Sequence, residues 1–374
     1  MKNVLFLSTS NIVGGAEIVS KPWLENTIHS LITLTSIDDT SKKFFSDIKG
    51  YNIKKRYYSD IIENDNGIKG KMSFFIKNIK TASQINKIIN NNEVKAIYAN
   101  NTADFFPATL YKIIYNRNIK IISHIHDMIQ IDTKRAKIIK FLNRDINMFI
   151  TPSNAVKENL MDIGIPENKI KVVYNSVDNS KTIKKIEGLN KLVRDKIVLL
   201  FIGAYNERKN AIDFLKIVKA LNSIDDKYIG ILAGRIEDEE YYNKIINYSK
   251  VNNINSIFLD NLSRSEINYL YSIGNILILT SNQDPLPTVI LEAMYNNVLV
   301  FSRNVDGVKE MIKDGESGYL YDYNENIHEI AKKLNRIIKS NNNDILKNAY
   351  IDIEMNFTNK TKIRLIDEII DYLE

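Results

Sequence analysis

Residues 275–303 read NILILTSNQDPLPTVILEAMYNNVLVFSR. Both ends, NILILTS and VLVFSR, are short runs rich in Ile, Leu and Val without alternation of polar and apolar residues. Strands of that kind are buried on both faces, as in a parallel sheet covered by helices. The middle, PTVILEAMYNN, has the length and spacing of a short helix opened by proline. Strand, helix and strand make a βαβ unit, which sets the fold class as α/β with parallel sheets. The same stretch holds two acids, Asp284 and Glu292, eight positions apart across the turn that opens the helix.

The pattern extends in both directions. KIVLLFIG, YIGILAG and SIFLDN precede the quoted stretch, separated by KNAIDFLKIVKALNSI, EEYYNKIINYSKVNN and RSEINYLYSIG. The first half carries NVLFLS, KAIYAN, IKIISHI and INMFITPS in a similar rhythm. A polar, lysine-rich stretch at 178–196 lies between the two series and is expected to link two domains. A chain of 374 residues exceeds one ordinary core, which agrees with two domains. The expected division is 1–185 and 186–357, each a doubly wound Rossmann-like domain. A last helix, 358–374, is expected to pack back toward the first domain. Ligands of open parallel sheets bind beyond the carboxyl ends of the strands, so two such domains facing across a cleft would place the chemistry in the loops there.

Composition excludes several classes. There is no cysteine, hence no disulfide, thiolate metal site or cysteine nucleophile. Four histidines, His29, His124, His126 and His328, make a histidine-rich metal site a poor expectation. No apolar run approaches the roughly 18 residues of a membrane span. The opening MKNVLFLSTS reads as a buried strand rather than a signal peptide. These features fit a cytoplasmic location. The net charge is +6, and residues 41–80 alone hold ten basic and four acidic residues, interleaved with Phe44, Phe45, Tyr57, Tyr58, Phe74 and Phe75. Such a surface attracts anions, whether lipid headgroups or nucleic acid. No nucleic-acid-binding motif accompanies it. Residues 72–89 place Met72, Phe75, Ile76, Ile79, Ala82, Ile85, Ile88 and Ile89 on one helical face, expected to pack on the core.

Four motifs fall in loops after strands. Pro287 occupies the expected first helical position, where its missing N–H costs nothing. The helix end is an anion site, and Asp284 and Glu292 flank it. Two fixed acceptors around a phosphate cradle suit a nucleotide sugar; alternatively, one acid caps the helix and the other is solvated. In GAYNERKN, Arg208 and Lys209 offer charge to a diphosphate, or are two solvated cations before a helix. In SHIHDM, His126 ends a strand, with His124 on the same side; a core histidine is the other reading. In GGAE, Gly14 and Gly15 would let backbone approach a ligand or simply make a turn. The spacing is not that of a dinucleotide binder.

DPLPTVILEAM followed by VLVFSRNVDGVKEMIKDGESGYLYD resembles the carboxylate-x7-Glu signature of the retaining glycosyltransferases of family 4, which have the GT-B fold. GGAE, ITPSNAVKENLMDIGIPENKIKVVYNSVD and FIGAYNERKNAIDFLKIVKAL extend the resemblance over most of the chain. It implies a retaining, metal-independent hexosyltransferase with no cofactor, only a nucleotide-sugar donor, UDP-linked rather than GDP-linked. Glu292 would hold the ribose hydroxyls, Asp284 the sugar hydroxyls and Lys209 the diphosphate. Leu286, Thr288 and Val289 would donate backbone N–H groups, with Gly15 near the donor. His126 would lie by the transferred sugar. The chain departs from the pattern where Asp284 replaces the usual Glu and Ala204 the usual Arg, for which Arg208 is the expected substitute. The acceptor would be a glycan, lipid-linked or protein group in bacterial surface polysaccharide or glycoconjugate synthesis. The enzyme would be cytoplasmic, peripheral on the inner membrane face through residues 41–80. Asp284 and Ala204 also keep open a non-catalytic GT-B partner of another transferase.

Overall fold

A computed structural model describes residues 1–10, 13–59, 68–177 and 182–373; within the helix that begins at 68, side chains are described from residue 73. The chain divides into two units, Met1–Ser176 with Asn359–Glu374, and Val177–Thr358. The expected boundary at 185 is too late. Lys184 N donates to Ser265 O at 3.0 Å, and Leu189 is buried in the short helix Leu189–Leu192. The stretch is polar because its lysines are solvated, although its backbone already belongs to the second unit. Residues 178–181 of the expected linker lie outside the described residues.

The first unit has seven strands, β1 Asn3–Ser8, β2 Ser30–Ser36, β3 Ile53–Ser59, β4 Ala96–Ala99, β5 Lys120–His124, β6 Met148–Thr151 and β7 Ile170–Val172, in the order β3-β2-β1-β4-β5-β6-β7. The second has β8 Ile197–Ile202, β9 Tyr228–Gly234, β10 Ser256–Asp260, β11 Ile276–Leu279, β12 Leu299–Arg303 and β13 Tyr319–Tyr321, in the order β10-β9-β8-β11-β12-β13. Every pairing is parallel. Strand order reverses between β1 and β4, and again between β8 and β11. Helices on opposite faces diverge at such points and leave a crevice beyond the strand ends. The loops after β1, β8 and β11 hold candidate residues, and His126 follows β5, the strand next to β4. At the ends of the neighbouring strands β8 and β9 backbone meets backbone: a Cβ on Gly234 would lie 1.8 Å from Gly203 O, so only glycine allows that approach.

The last helix, Asn359–Tyr372, is part of the first unit. Its Asp367 accepts from Trp23 Nε1 at 2.8 Å and Thr27 Oγ1 at 2.5 Å. Ile366 and Ile370 join the apolar cluster of Val4, Phe6, Trp23 and Tyr98. Among the described residues no helix is long and apolar enough to cross a membrane.

Two expectations about surface and core are corrected. In the helix Ile68–Asn90, Ala82, Ile85, Ile88 and Ile89 are buried, but Phe75, Ile76 and Ile79 are exposed, and Asn78 and Thr81 turn inward instead. The apolar stripe outruns the core beneath it. Met72's side chain lies outside the described residues. In the basic window, Phe45 packs with Phe6, Phe44 meets Phe45 edge-on, and Phe74 lies against Phe106, so Phe75 is the one exposed aromatic of the six. Arg56 is not a free cation, since it donates to Ser46 O and to Ile48 O at 2.8 Å. The side chains of 60–72 in that window lie outside the described residues.

Candidate active site

The second unit gathers the predicted donor residues around the loop Thr280–Pro287. The loop is stapled from two sides. Asn282 N donates to Arg208 O at 2.8 Å and Thr280 Oγ1 to Asn210 O at 2.9 Å, joining it to the loop after β8. Arg303, buried at the end of β12, donates to Thr280 O, Asn282 Oδ1 and Asp213 Oδ2 at 2.7–2.9 Å. Burial opposes ionisation of Asp213, yet hydrogen bonds from Lys216 and Arg303 hold its carboxyl below the ordinary range.

In that frame Lys209 Nζ meets Asp284 Oδ2 at 2.5 Å, and both side chains are largely buried. Ser281 Oγ donates to the same oxygen at 3.1 Å. Both contacts use Oδ2, and the ammonium has two further protons to donate. The resemblance assigned the two residues separate roles; the structure joins them as one ion pair. Arg208 lies beside them, its Nη1 on Gln283 O at 3.2 Å.

The helix Thr288–Tyr295 starts one residue later than expected. Pro287 is the residue before it, in extended conformation (φ −69°, ψ 112°), rather than its first member. Thr288 and Val289 therefore supply the first helical N–H groups, which have no partner inside a helix. Leu286 is buried just ahead of them. Glu292 sits in the second turn, buried, with each carboxylate oxygen held: Oε1 by Arg264 Nη1 at 2.7 Å, Oε2 by the Tyr271 hydroxyl at 2.9 Å. Burial and the Glu292 charge push the Tyr271 phenol well above its ordinary pKa, so it donates as a neutral group.

Arg264, Tyr271, Arg303 and Asp306 did not emerge from sequence reasoning. Arg264 and Tyr271 are seven apart in the helix Arg264–Ile273, on one face, a spacing that can be read directly. Asp306 accepts from Asp284 N at 2.6 Å and has φ 39°, unusual outside glycine. Burial and the Asp284 charge raise its pKa.

Of the predicted residues of the first unit, Gly15 follows β1 and His126 follows β5, beside Tyr98 of β4. His124 Nδ1 is 2.7 Å from the Tyr98 hydroxyl, and the His124 and His126 ring centroids are 3.8 Å apart. His126 is partly exposed as a residue, while its Nε2 and that of His124 are buried without a protein partner. Burial lowers both imidazole pKa values, and the positive charge of Lys362 adds to it, so both rings are neutral near pH 7. Lys362 is itself buried on the last helix, donating to Val19 O at 2.5 Å, and burial lowers its pKa to about 7. Glu17 accepts from Ser8 Oγ and Gly14 N, each at 2.9 Å. A Cβ on Gly15 would meet nothing within 4 Å, and its backbone is not left-handed, so the chain's own fold does not require glycine there. Among the described residues no group of three or more His, Asp or Glu is placed to hold a metal ion.

Two family models match the chain: Glycosyltransferase Family 4 over residues 65–181 and Glycosyl transferases group 1 over residues 182–352. A Klebsiella pneumoniae "uncharacterized 41.2 kDa protein in cps region" is 25% identical over 227 residues, 58% of this chain and 61% of that protein. The Campylobacter jejuni alpha-1,4-N-acetyl-D-galactosaminyltransferase named for its GalNAc-diNAcBac-PP-undecaprenol substrate is 30% identical over 182 residues, 46% of this chain and 48% of that one. The chain thus spans about half the length of the curated relatives it matches. Among solved structures, Anabaena HepE with UDP and glucose superposes with a TM-score of 0.80 at 20% identity, over 100% of both chains. The lipopolysaccharide outer core galactosyltransferase WaaB superposes with a TM-score of 0.72 at 20% identity, over 100% of this chain and 99% of that one.

Proposed function

The chain belongs to the family 4 glycosyltransferases, with the GT-B fold, and from that premise we propose that it transfers a sugar from a UDP-sugar to a glycan or lipid-linked acceptor in bacterial polysaccharide or glycoconjugate synthesis. One observation carries the reading: Lys209 paired with Asp284 at 2.5 Å, beside the open N-terminus of the helix that carries Glu292. The leaving nucleoside diphosphate gains negative charge as the sugar departs. Lys209, Arg208 and the N–H groups of Thr288 and Val289 are fixed where that charge grows, and donors of this kind are worth most in a dry site. Asp284 Oδ1 takes a hydroxyl of the transferred sugar and Glu292 the ribose hydroxyls. In the first unit His126, neutral, has an Nε2 without a protein partner, which a hydroxyl could satisfy without adding charge. The new bond forms with retention at the anomeric carbon, and no metal takes part. The UDP assignment draws support from the neighbour solved with UDP and glucose, and the acceptor class from relatives named for capsule and polyprenyl-diphosphate glycan synthesis.

A lipid-linked acceptor requires a membrane-facing surface. Beside the expected window at 41–80, where Phe75, Ile76 and Ile79 are exposed, the helix Lys134–Leu142 offers a second surface of this kind. Ala136, Ile139 and Leu142 face the core, while Ile138 and Phe141 stand outward, Phe141 at 64% exposure, among Lys134, Lys137 and Lys140. Large apolar tips between lysines suit an anionic interface.

The test is release of UDP from a panel of UDP-sugars without acceptor, in EDTA. Slow release by wild type, abolished in Glu292→Gln, is expected. No release from any nucleotide sugar, with no binding of one, would assign the chain instead to the non-catalytic partner reading.

A further inference from the structure

Glu292 is gripped from one side by a single helix face. Ser263 and Glu266 close a capping box at the start of the helix Arg264–Ile273, with Ser263 N on Glu266 Oε2 at 2.9 Å and Ser263 Oγ on the same oxygen at 2.7 Å. Lys184 pairs with the other oxygen of Glu266 at 2.9 Å. Arg264 thus projects from a fixed helix end. Tyr271, two turns on, projects from the same face and is fully buried. The two donors divide the carboxylate between them, one on each oxygen. Each oxygen keeps a lone pair that these two donors do not use.

A carboxylate held this way presents two acceptors at the spacing of a vicinal diol. Without the grip, a carboxylate rotates about its last bond and reads either hydroxyl or neither. We propose that Arg264 and Tyr271 are positioning residues that lock the Glu292 carboxylate to read both hydroxyls of a ribose, and so make the donor site select ribonucleotides over 2′-deoxyribonucleotides. The inference rests on the donor reading of the site given above. Arg264 also cancels the charge of Glu292, which would otherwise repel a diphosphate nearby. It leaves the reading to geometry rather than to net charge.

The experiment is isothermal titration of wild type, Arg264→Gln, Arg264→Lys and Tyr271→Phe with UDP and 2′-deoxy-UDP, and in parallel with GDP and 2′-deoxy-GDP. Wild type is expected to prefer the ribonucleotide by about tenfold or more, the scale of one charged hydrogen bond. Arg264→Gln should lose about tenfold in affinity for the ribonucleotide and little for the deoxy form, so that the preference collapses; Arg264→Lys should restore part of it. Tyr271→Phe should show the same collapse to a smaller degree, and it removes only one oxygen, which guards against a variant that fails to fold. Equal loss for both sugars, or no loss for either, overturns the inference while leaving the donor site standing. Wild type that binds no nucleotide overturns the donor reading itself.

Discussion

The two sheets end in polar clusters of opposite finish. In the second unit three acids of the site already face a cation: Asp284 with Lys209, Glu292 with Arg264, Asp213 with Arg303, at 2.5–2.7 Å. In the first unit His124 Nε2, His126 Nε2, Asn100 Nδ2 and Asp104 Oδ2 are buried without a protein partner, and burial raises the Asp104 pKa to about 7. A buried polar group left unpaired costs about 1–3 kcal/mol, and a buried charge that loses its partner costs more. The second unit is therefore organised before any ligand arrives. The first unit holds buried polar atoms whose hydrogen bonds the fold leaves unmade. Substitutions should consequently hurt stability in the second unit and function alone in the first.

The largest expected effect is at the ion pair. Lys209→Ala leaves Asp284 buried and charged beside Asp306. It should lower stability by about 3–5 kcal/mol and cut donor turnover by about a hundredfold or more. Adding Asp284→Asn should restore much of the stability but none of the turnover. Thermal melting of the two single variants and the double variant gives the coupling, and strictly additive losses would show the pair to be solvated and the contrast false.

His126→Ala is the opposite case. Under the proposed function turnover should fall about ten- to a hundredfold, while the melting temperature should change little, because the ring's buried Nε2 has no protein partner to lose. A drop of many degrees would mean that the histidine pair is core and nothing more.

The smallest effect is a pH slope. Lys362 titrates near 7 when folded and near 10.5 when unfolded. Between those values the unfolded chain binds more protons, so stability rises with pH, by at most about 1.4 kcal/mol per pH unit. Lys362→Met should flatten that rise and be more stable at pH 7. Denaturant melts from pH 7 to 10 read it directly; an unchanged slope would show the amine to be hydrated.

The unequal finish also explains what sequence alone reveals. The βαβ rhythm is legible because buried parallel strands must be apolar, and the loops after β8 and β11 are legible because proline and paired charges mark them. Burial of Phe45 and exposure of Phe75 are not, since periodicity gives a helix face without saying where the core beneath it stops. The Arg264–Tyr271 grip is spaced legibly at seven residues, but its target lies 21 to 28 positions away, in another helix. Pairing across elements is what the chain's local pattern omits. The Lys209–Asp284 contact is hidden for the same reason, since 75 positions separate its partners.

The central claim is that the second unit binds a nucleoside diphosphate without metal through Lys209 and Glu292. Isothermal titration of UDP in EDTA tests it most directly. One site per chain is predicted in wild type, weakened about ten- to a hundredfold by Lys209→Ala and by Glu292→Gln. Binding that appears only with added manganese, or that both variants retain at full strength, would contradict it.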